Sequence, residues 1–257
     1  MISSDKRFLL GSNWKMNKTF AETEEYLPQY SALAAQYKNA QLFAIPPYTH
    51  LQLSHDLLKD TPVLLGAQNA HWLSSGPYTG EISPDWLKEL GVDIVELGHS
   101  ERRQYYNEND FDLNKKVKAA QERGFITLLC IGEHSEDKEF GVTEEVLRKQ
   151  LKIALKDNRS GNLWVAYEPV WAIGVNGTPA EPGYVERVHG MIRKSLVDIF
   201  GEAGNNVPIL YGGSVNPQNC AELAVLKNVD GLFIGRSAWD IEQFKVILSR
   251  LSELGLK

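Results

Sequence analysis

The chain has little cysteine: Cys130 and Cys220 are its only two thiols in 257 residues. Two cysteines cannot build a disulfide framework, and no Cys/His cluster has the spacing of a zinc site. Long apolar runs are also missing. Nothing approaches the roughly 20 consecutive apolar residues that cross a bilayer. The apolar stretch that closes Met1-Ile-Ser-Ser-Asp-Lys-Arg-Phe-Leu-Leu is far too short for a signal peptide. The expectation is a cytoplasmic protein with no membrane partner. Positive charge is in deficit, with 27 Lys+Arg against 33 Asp+Glu and a formal charge of −6. That balance gives no support for nucleic acid as a partner. A small anion is not excluded, because it responds to the local field of a cleft. Low-complexity linkers, charge blocks and composition breaks are missing too, so residues 1–257 are expected to form a single domain.

What is present fits an ordinary globular protein, with 43% hydrophobic and 23% charged residues. Short apolar runs alternate with longer amphipathic segments from end to end. The runs are Phe8–Gly11, Gln41–Ile45, Val63–Ala67, Asp93–Leu97, Phe125–Ile131, Leu163–Tyr167, Val207–Leu210 and Gly231–Ile234. Their near-continuous hydrophobicity suits strands covered on both faces. Between them, Leu147, Leu151, Ala154 and Leu155, and later Ile241, Phe244, Leu248 and Leu251, recur at helical spacing. Ser83-Pro84 and Asn216-Pro217 each offer a capping side chain followed by proline at the first helical position. Pro28 falls inside the first helical segment and obscures where that helix begins.

Eight strand–helix units can close into a barrel or lie in an open sheet. An open dinucleotide-binding sheet usually carries Gly-x-Gly-x-x-Gly after its first strand. Here that turn reads Gly11-Ser12-Asn13-Trp14-Lys15-Met16-Asn17. A barrel is therefore expected, and in a barrel the chemistry collects at the C-terminal ends of the strands.

Those ends are rich in functional groups. Asn13 and Lys15 follow the first strand, two apart and so on one face if the segment is extended. His99 and Glu101 follow the fourth, and Glu168 the sixth. Tyr211-Gly212-Gly213-Ser214 and Gly235-Arg236 close the seventh and eighth, where backbone N–H groups of Gly-rich turns can cradle a phosphate. Taken singly, each has a plain structural reading. Lys15 reads as a solvated side chain, His99 as a satisfied core histidine, Glu168 as a partner for an arginine, and the glycines as tight turns. Their meeting on one rim weakens those readings.

The same residues carry a family resemblance. Asn-Trp-Lys-Met-Asn at 13–17, Gly-His-Ser-Glu-Arg-Arg at 98–103, Ala-Tyr-Glu-Pro-Val-Trp-Ala-Ile-Gly at 166–174 and Tyr-Gly-Gly-Ser-Val at 211–215 resemble the signatures of the triosephosphate isomerase family. Thr79-Gly80-Glu81 and Cys130-Ile131-Gly132-Glu133 fit as well. The order and spacing match from the first strand to the eighth. The resemblance implies an α/β fold, a single (β/α)8 TIM barrel, and an aldose–ketose isomerase that works through an enediol(ate) with no metal or organic cofactor. It implies Glu168 as the base, His99 as a neutral electrophile, Lys15 and Asn13 as cation and donor, and Glu101 as the partner that fixes Lys15. It places a phosphate on the backbone N–H groups of Gly174, Ser214, Gly235 and Arg236. A lid would run from Pro169 to about Pro179, with Ile173 and Phe233 clamping the base and Tyr211 latching the lid. It also implies a homodimer, with Thr79 in the loop Gly76–Glu81 reaching the partner's Asn13 and Lys15.

Three positions depart from the family pattern. Arg236 stands where the family has a second glycine, and Phe233 where leucine is usual. Pro179 stands where the family uses a backbone N–H to meet the tyrosine matching Tyr211, and proline has none. All three lie in the phosphate and lid shell. The leading expectation for the substrate pair is D-glyceraldehyde 3-phosphate and dihydroxyacetone phosphate. The alternative is a tetrulose (erythrulose) phosphate, in effect the triose phosphate with an extra hydroxymethyl group. A barrel lyase, or a phosphate-binding protein without catalysis, are the readings from other classes. The first would not require Gly-His-Ser-Glu-Arg-Arg, and the second would be free to lose Glu168, His99 or Lys15.

Overall fold

The computed structural model describes residues 7–174 and 177–255. Eight parallel strands pair in chain order and close on themselves. They are β1 (Phe8–Asn13), β2 (Ala40–Ile45), β3 (Leu64–Ala67), β4 (Ile94–Leu97), β5 (Ile126–Ile131), β6 (Leu163–Tyr167), β7 (Ile209–Tyr211) and β8 (Gly231–Phe233). Closure is made by β1 against β8, with Leu9, Leu10 and Gly11 opposite Gly231, Leu232 and Phe233. A closed parallel ring leaves no free edge, so every ladder N–H and C=O has a neighbour.

Two apolar layers follow from the alternation of side chains along each strand. Leu9, Phe43, Ile45, Ile94, Leu128, Cys130, Ala166, Leu210 and Phe233 fill the inside of the ring. Leu10, Leu42, Val95, Leu129, Val165, Ile209 and Leu232 point outward against the helices. That double burial is why the strands read as nearly continuous apolar runs.

Element boundaries moved where backbone chemistry intervened. β7 begins at Ile209 rather than Val207, because Pro208 has no N–H to give the ladder and only accepts, from Val165 at 2.9 Å. The first helix spans Phe20–Gln36, opened by a capping box of Thr19 and Glu22, and Pro28 lies inside it without ending it. An interior proline costs a helix about 3 kcal/mol, and burial of Tyr26, Leu27, Tyr30 and Leu33 against the barrel offsets this. Ser83 caps the helix Pro84–Glu89 as expected. Asn216 does cap a turn, accepting from Gln218 and Asn219, but regular helix begins only at Cys220. The helices Thr143–Ala154 and Ile241–Ser252 bury the periodic residues Leu147, Leu151, Phe244, Leu248 and Leu251.

Candidate active site

Glu168 is the first residue beyond β6. Its N–H donates to Ile131 O at 2.8 Å, tying it to the end of β5. That approach needs Gly132, where an added Cβ would lie 1.8 Å from the Glu168 carbonyl oxygen. The carboxyl is buried, accepts the Ser100 N–H at 3.1 Å through Oε2, and lies 3.4 Å from His99 Nε2 through Oε1. Burial drives its pKa up to about 7, and the Lys15 charge and the Ser100 N–H restrain the rise. The group is therefore poised between acid and base near neutral pH, where a general base is most effective.

His99 caps the helix Ser100–Tyr106, its Nδ1 accepting the Glu101 N–H at 3.2 Å. That bond leaves the ring proton on Nε2, which faces Glu168. Burial, then the charges of Lys15 and Arg102, push its pKa down to about 3. The ring is neutral across the physiological range and can act as a hydrogen-bond donor without being an acid in its own right. The turn that aims it is held from outside: Arg103 donates to Gly98 O at 2.8 Å and to Cys130 O at 3.1 Å.

Asn13 and Lys15 do share the mouth, but not by the expected route. Asn13 is the last residue of β1, and Lys15 has φ 55°, left-handed rather than extended. For a non-glycine residue that conformation costs about 1–3 kcal/mol and persists only where surroundings enforce it. Here the Lys15 N–H donates to Asn13 Oδ1 at 2.6 Å and the Lys15 carbonyl accepts from Gln68 at 2.7 Å. Lys15 Nζ then pairs with Glu101 Oε1 at 2.8 Å.

Glu96 is the residue that sequence reasoning missed. It lies on β4, two residues past the inward-facing Ile94, and is fully buried. Its Oε2 accepts from Asn13 Nδ2 at 2.8 Å, and Cys130 Sγ lies 3.6 Å from Oε1. Burial, reinforced by the nearby Glu168 carboxyl, raises its pKa well above the usual carboxylate range. An acidic residue breaking the inward face of an otherwise apolar strand was the available signal.

Ligand atoms of Glu96, His99 and Glu168 all lie within 4.8 Å of one another. Such a trio can hold a metal ion, but His99 Nε2 carries the ring proton in this arrangement. Ligation there would require the other tautomer and the loss of the Glu101 N–H bond. His99 and Glu168 thus fit a proton-handling pair better than the trio fits a ready metal site.

The phosphate side is built differently. Among the described residues, the backbone N–H groups of Gly174, Ser214 and Gly235 donate to no backbone acceptor in turns or loops. Arg236 is exposed and turns toward the lid, its guanidinium donating to Gly174 O at 3.1 Å. Phe233 lies beside the base: a Cβ on Gly212 would sit 3.0 Å from Glu168 Cγ and 3.5 Å from Phe233 Cδ1. Ile173 is half-buried at the end of the turn Val170–Ala172. That turn is anchored by Trp171, which donates to Glu133 Oε1 at 2.9 Å and lies under Lys138 Nζ at 3.6 Å.

The Tyr211 hydroxyl is buried without a hydrogen bond of normal geometry, and it faces the Ala180 N–H, which tempers the rise in its pKa caused by burial. The hinge thus presents a donor one residue beyond Pro179, so the missing proline N–H does not leave Tyr211 without a candidate partner. Val175 and Asn176, part of the expected hinge, lie outside the described residues. Thr79 is exposed in the segment Gly76–Glu81, beside Tyr78, whose ring packs on His71 at 4.3 Å.

A buried carboxyl poised near neutral pH, facing a neutral imidazole at the mouth of a closed (β/α)8 barrel, defines an isomerase-class enzyme. The family model for triosephosphate isomerase matches residues 8–251, and the chain belongs to that family. It is 42% identical over 254 residues to L-erythrulose-1-phosphate isomerase of Rhizobium rhizogenes (strain K84), covering 97% of this chain and 96% of the relative. It is 42% identical over 246 residues to triosephosphate isomerase of Dictyoglomus turgidum, covering 92% and 98%. The crystal structure of triosephosphate isomerase from Bartonella henselae superposes with a TM-score of 0.88 at 35% identity, covering 96% of this chain and 99% of that one.

Proposed function

We propose that the chain isomerises a tetrulose phosphate, in preference to the triose phosphate pair. Glu168 removes the proton from the hydroxyl-bearing carbon next to the carbonyl. His99, Lys15 and Asn13 stabilise the oxygens of the resulting enediolate, whose negative charge needs donors already in place. The same carboxyl then returns the proton to the neighbouring carbon. In a four-carbon 2-ketose 1-phosphate such as L-erythrulose 1-phosphate, the proton leaves C3 and returns at C2. The carbonyl thereby moves from C2 to C3, giving a tetrulose 4-phosphate with no change in atoms or electrons. Phosphate is held by the N–H groups of Gly174, Ser214, Gly235 and Arg236, under a lid of residues 169–179 with Ile173 and Phe233 against the base.

The observation that carries this reading is the Arg236–Gly174 bond. It turns a cationic side chain toward the lid, on the side proposed to hold the phosphate, while Glu168, His99, Lys15 and Asn13 keep their contacts. Relatives that share 42% and 44% identity over nearly the whole chain bear the name L-erythrulose-1-phosphate isomerase. The test is incubation of the enzyme with L-erythrulose 1-phosphate in D2O, followed by NMR. Deuterium at C3 and growth of the 4-phosphate isomer support the reading, and an unchanged, unlabelled spectrum rejects it. Pairing into a homodimer through Thr79 belongs to the same proposal, and sedimentation at micromolar concentration should give about twice the 28.9 kDa chain mass.

A further inference from the structure

The turns that follow β1 and β8 are fastened to each other at the seam where the barrel closes. Beyond β8 the chain passes through Ile234 and Gly235, makes a single 3₁₀ turn at Arg236–Ala238, and reaches Trp239. The Trp239 indole N–H donates to the Asn13 carbonyl at 3.0 Å. In return Lys18 Nζ donates to the Trp239 carbonyl at 2.8 Å, and the Tyr26 hydroxyl donates to the Ala238 carbonyl. With side-chain bonds running in both directions, neither turn can shift along the rim without breaking one of them.

Lys18 is held there against its backbone preference. Its φ is 70°, and Lys15 three residues earlier has φ 55°. Left-handed residues other than glycine persist only where their surroundings enforce the conformation. For Lys18 the hold is on the side chain. Besides the Trp239 carbonyl, its half-buried ammonium meets the Tyr26 ring, 4.1 Å from the centroid, and the Trp14 ring at 5.4 Å. Aromatic faces attract a cation at these distances.

The two turns carry opposite ends of the site. In the function proposed above, Asn13 and Lys15 meet the reacting oxygens, while the N–H groups of Gly235 and Arg236 meet the phosphate. A sugar phosphate reaches both at once, so the separation of the turns sets where its carbonyl lies relative to Glu168. A misplacement of about 1 Å can cost ~10²-fold in rate. The Asn13 side chain is fixed from within by Glu96, at 2.8 Å, and its backbone is fixed from the phosphate side by Trp239.

We propose that Trp239 and Lys18 are positioning residues, which hold the phosphate turn and the Asn13–Lys15 turn at the separation the substrate needs. The proposal rests on the phosphate placement in the reading above, and not on the number of carbons in the substrate.

The experiment measures kcat, KM and competitive inhibition by inorganic phosphate for wild type, Trp239→Phe and Lys18→Gly, each checked for folding by circular dichroism. The assay uses whichever of L-erythrulose 1-phosphate and dihydroxyacetone phosphate the wild-type enzyme turns over faster. Trp239→Phe keeps an aromatic ring and loses the N–H. Lys18→Gly loses the ammonium but adopts φ 70° at no steric cost, so it stays informative if the tryptophan variant does not fold. Each should lower kcat by at least ~10-fold, because the donors are present but misplaced, while the inhibition constant of inorganic phosphate stays at its wild-type value. A phosphate ion touches one turn only and does not sense the separation. An unchanged kcat with only a lower melting temperature would make the clasp a structural brace and overturn the proposal. A weaker grip on inorganic phosphate at unchanged kcat would confine Trp239 to shaping the phosphate turn, and would overturn it as well. Either result leaves the phosphate placement intact. A wild-type enzyme that inorganic phosphate does not inhibit would overturn that placement, and the proposal with it.

Discussion

The two halves of the barrel mouth are made of different materials. On one side Asn13, Glu96, His99 and Glu168 are buried side chains, and with Lys15 and Glu101 they form a set of hydrogen bonds and ion pairs among themselves. On the other, Gly174 and Arg236 are exposed, and the backbone N–H groups of Gly174, Ser214 and Gly235 donate to no backbone acceptor in turns or loops. Burial is what sets the pKa of Glu168 and His99, so the first half cannot vary without losing its chemistry. On the proposed reading the second half binds through backbone N–H groups, which every residue but proline has, so most of its side chains are free to change. Of the departures, Arg236 and Pro179 lie in that second half or the lid above it, while Phe233 lies beside Glu168. On the proposed reading, the reaction type is set in the buried half and phosphate binding in the other.

The sharpest way to break the comparison is to alter the first half. Glu168→Gln should lower kcat by ~10²–10⁴-fold, the range of a positioned general base, and a variant retaining a tenth of wild-type turnover would remove Glu168 from the role. The same substitution should raise stability. Glu168 has a folded pKa of about 7 against an ordinary 4.5, so ionising it in the folded state is unfavourable. The penalty is nil below pH 4.5, grows as pH rises, and is complete above pH 7, where it amounts to about 3 kcal/mol. Urea denaturation of Glu168→Gln against wild type should show that gain at pH 8 and none at pH 4.5.

Next in size is His99→Gln, expected to cost ~10²–10³-fold in kcat as one donor to the developing oxyanion is misplaced. Steady-state assays would show it, with KM little changed. The pH profile comes third. kcat/KM should climb by about tenfold per unit below pH 7 as Glu168 ionises and then level off, with no limb from His99, whose pKa is about 3. The smallest effect is reserved for the second half. Arg236→Gly removes a charged hydrogen bond to the lid, worth about 1.5 kcal/mol, and should raise KM roughly tenfold with kcat nearly intact. A fall in kcat as large as that of His99→Gln would erase the division between the halves.

Much of this was legible in the sequence because double burial leaves a simple trace. The strands were readable as apolar runs, and Glu168, His99, Lys15, Asn13 and Glu101 by their position just beyond them. What escaped was set by local geometry. Lys15 gave no sign that its backbone is left-handed, since nothing in a lysine side chain favours φ 55°. The register of β7 turned on Pro208, a single missing N–H. Glu96 was hidden because a run such as Asp93–Leu97 reads as one apolar strand, and a single carboxylate in it shows its meaning only when its inward face is known. The direction of Arg236 and the donor facing Tyr211 depend on the path of the lid, which no pattern of residue types encodes.

The central claim is that the proton-transfer half is retained while recognition has shifted to a four-carbon substrate. Parallel measurement of kcat/KM for L-erythrulose 1-phosphate and dihydroxyacetone phosphate with the wild-type enzyme tests it most directly. The account predicts a ratio of at least ~10² in favour of the tetrulose phosphate, the low end of the discrimination that recognition of an extra hydroxyl gives. Equal values, or a preference for the triose phosphate, would contradict it.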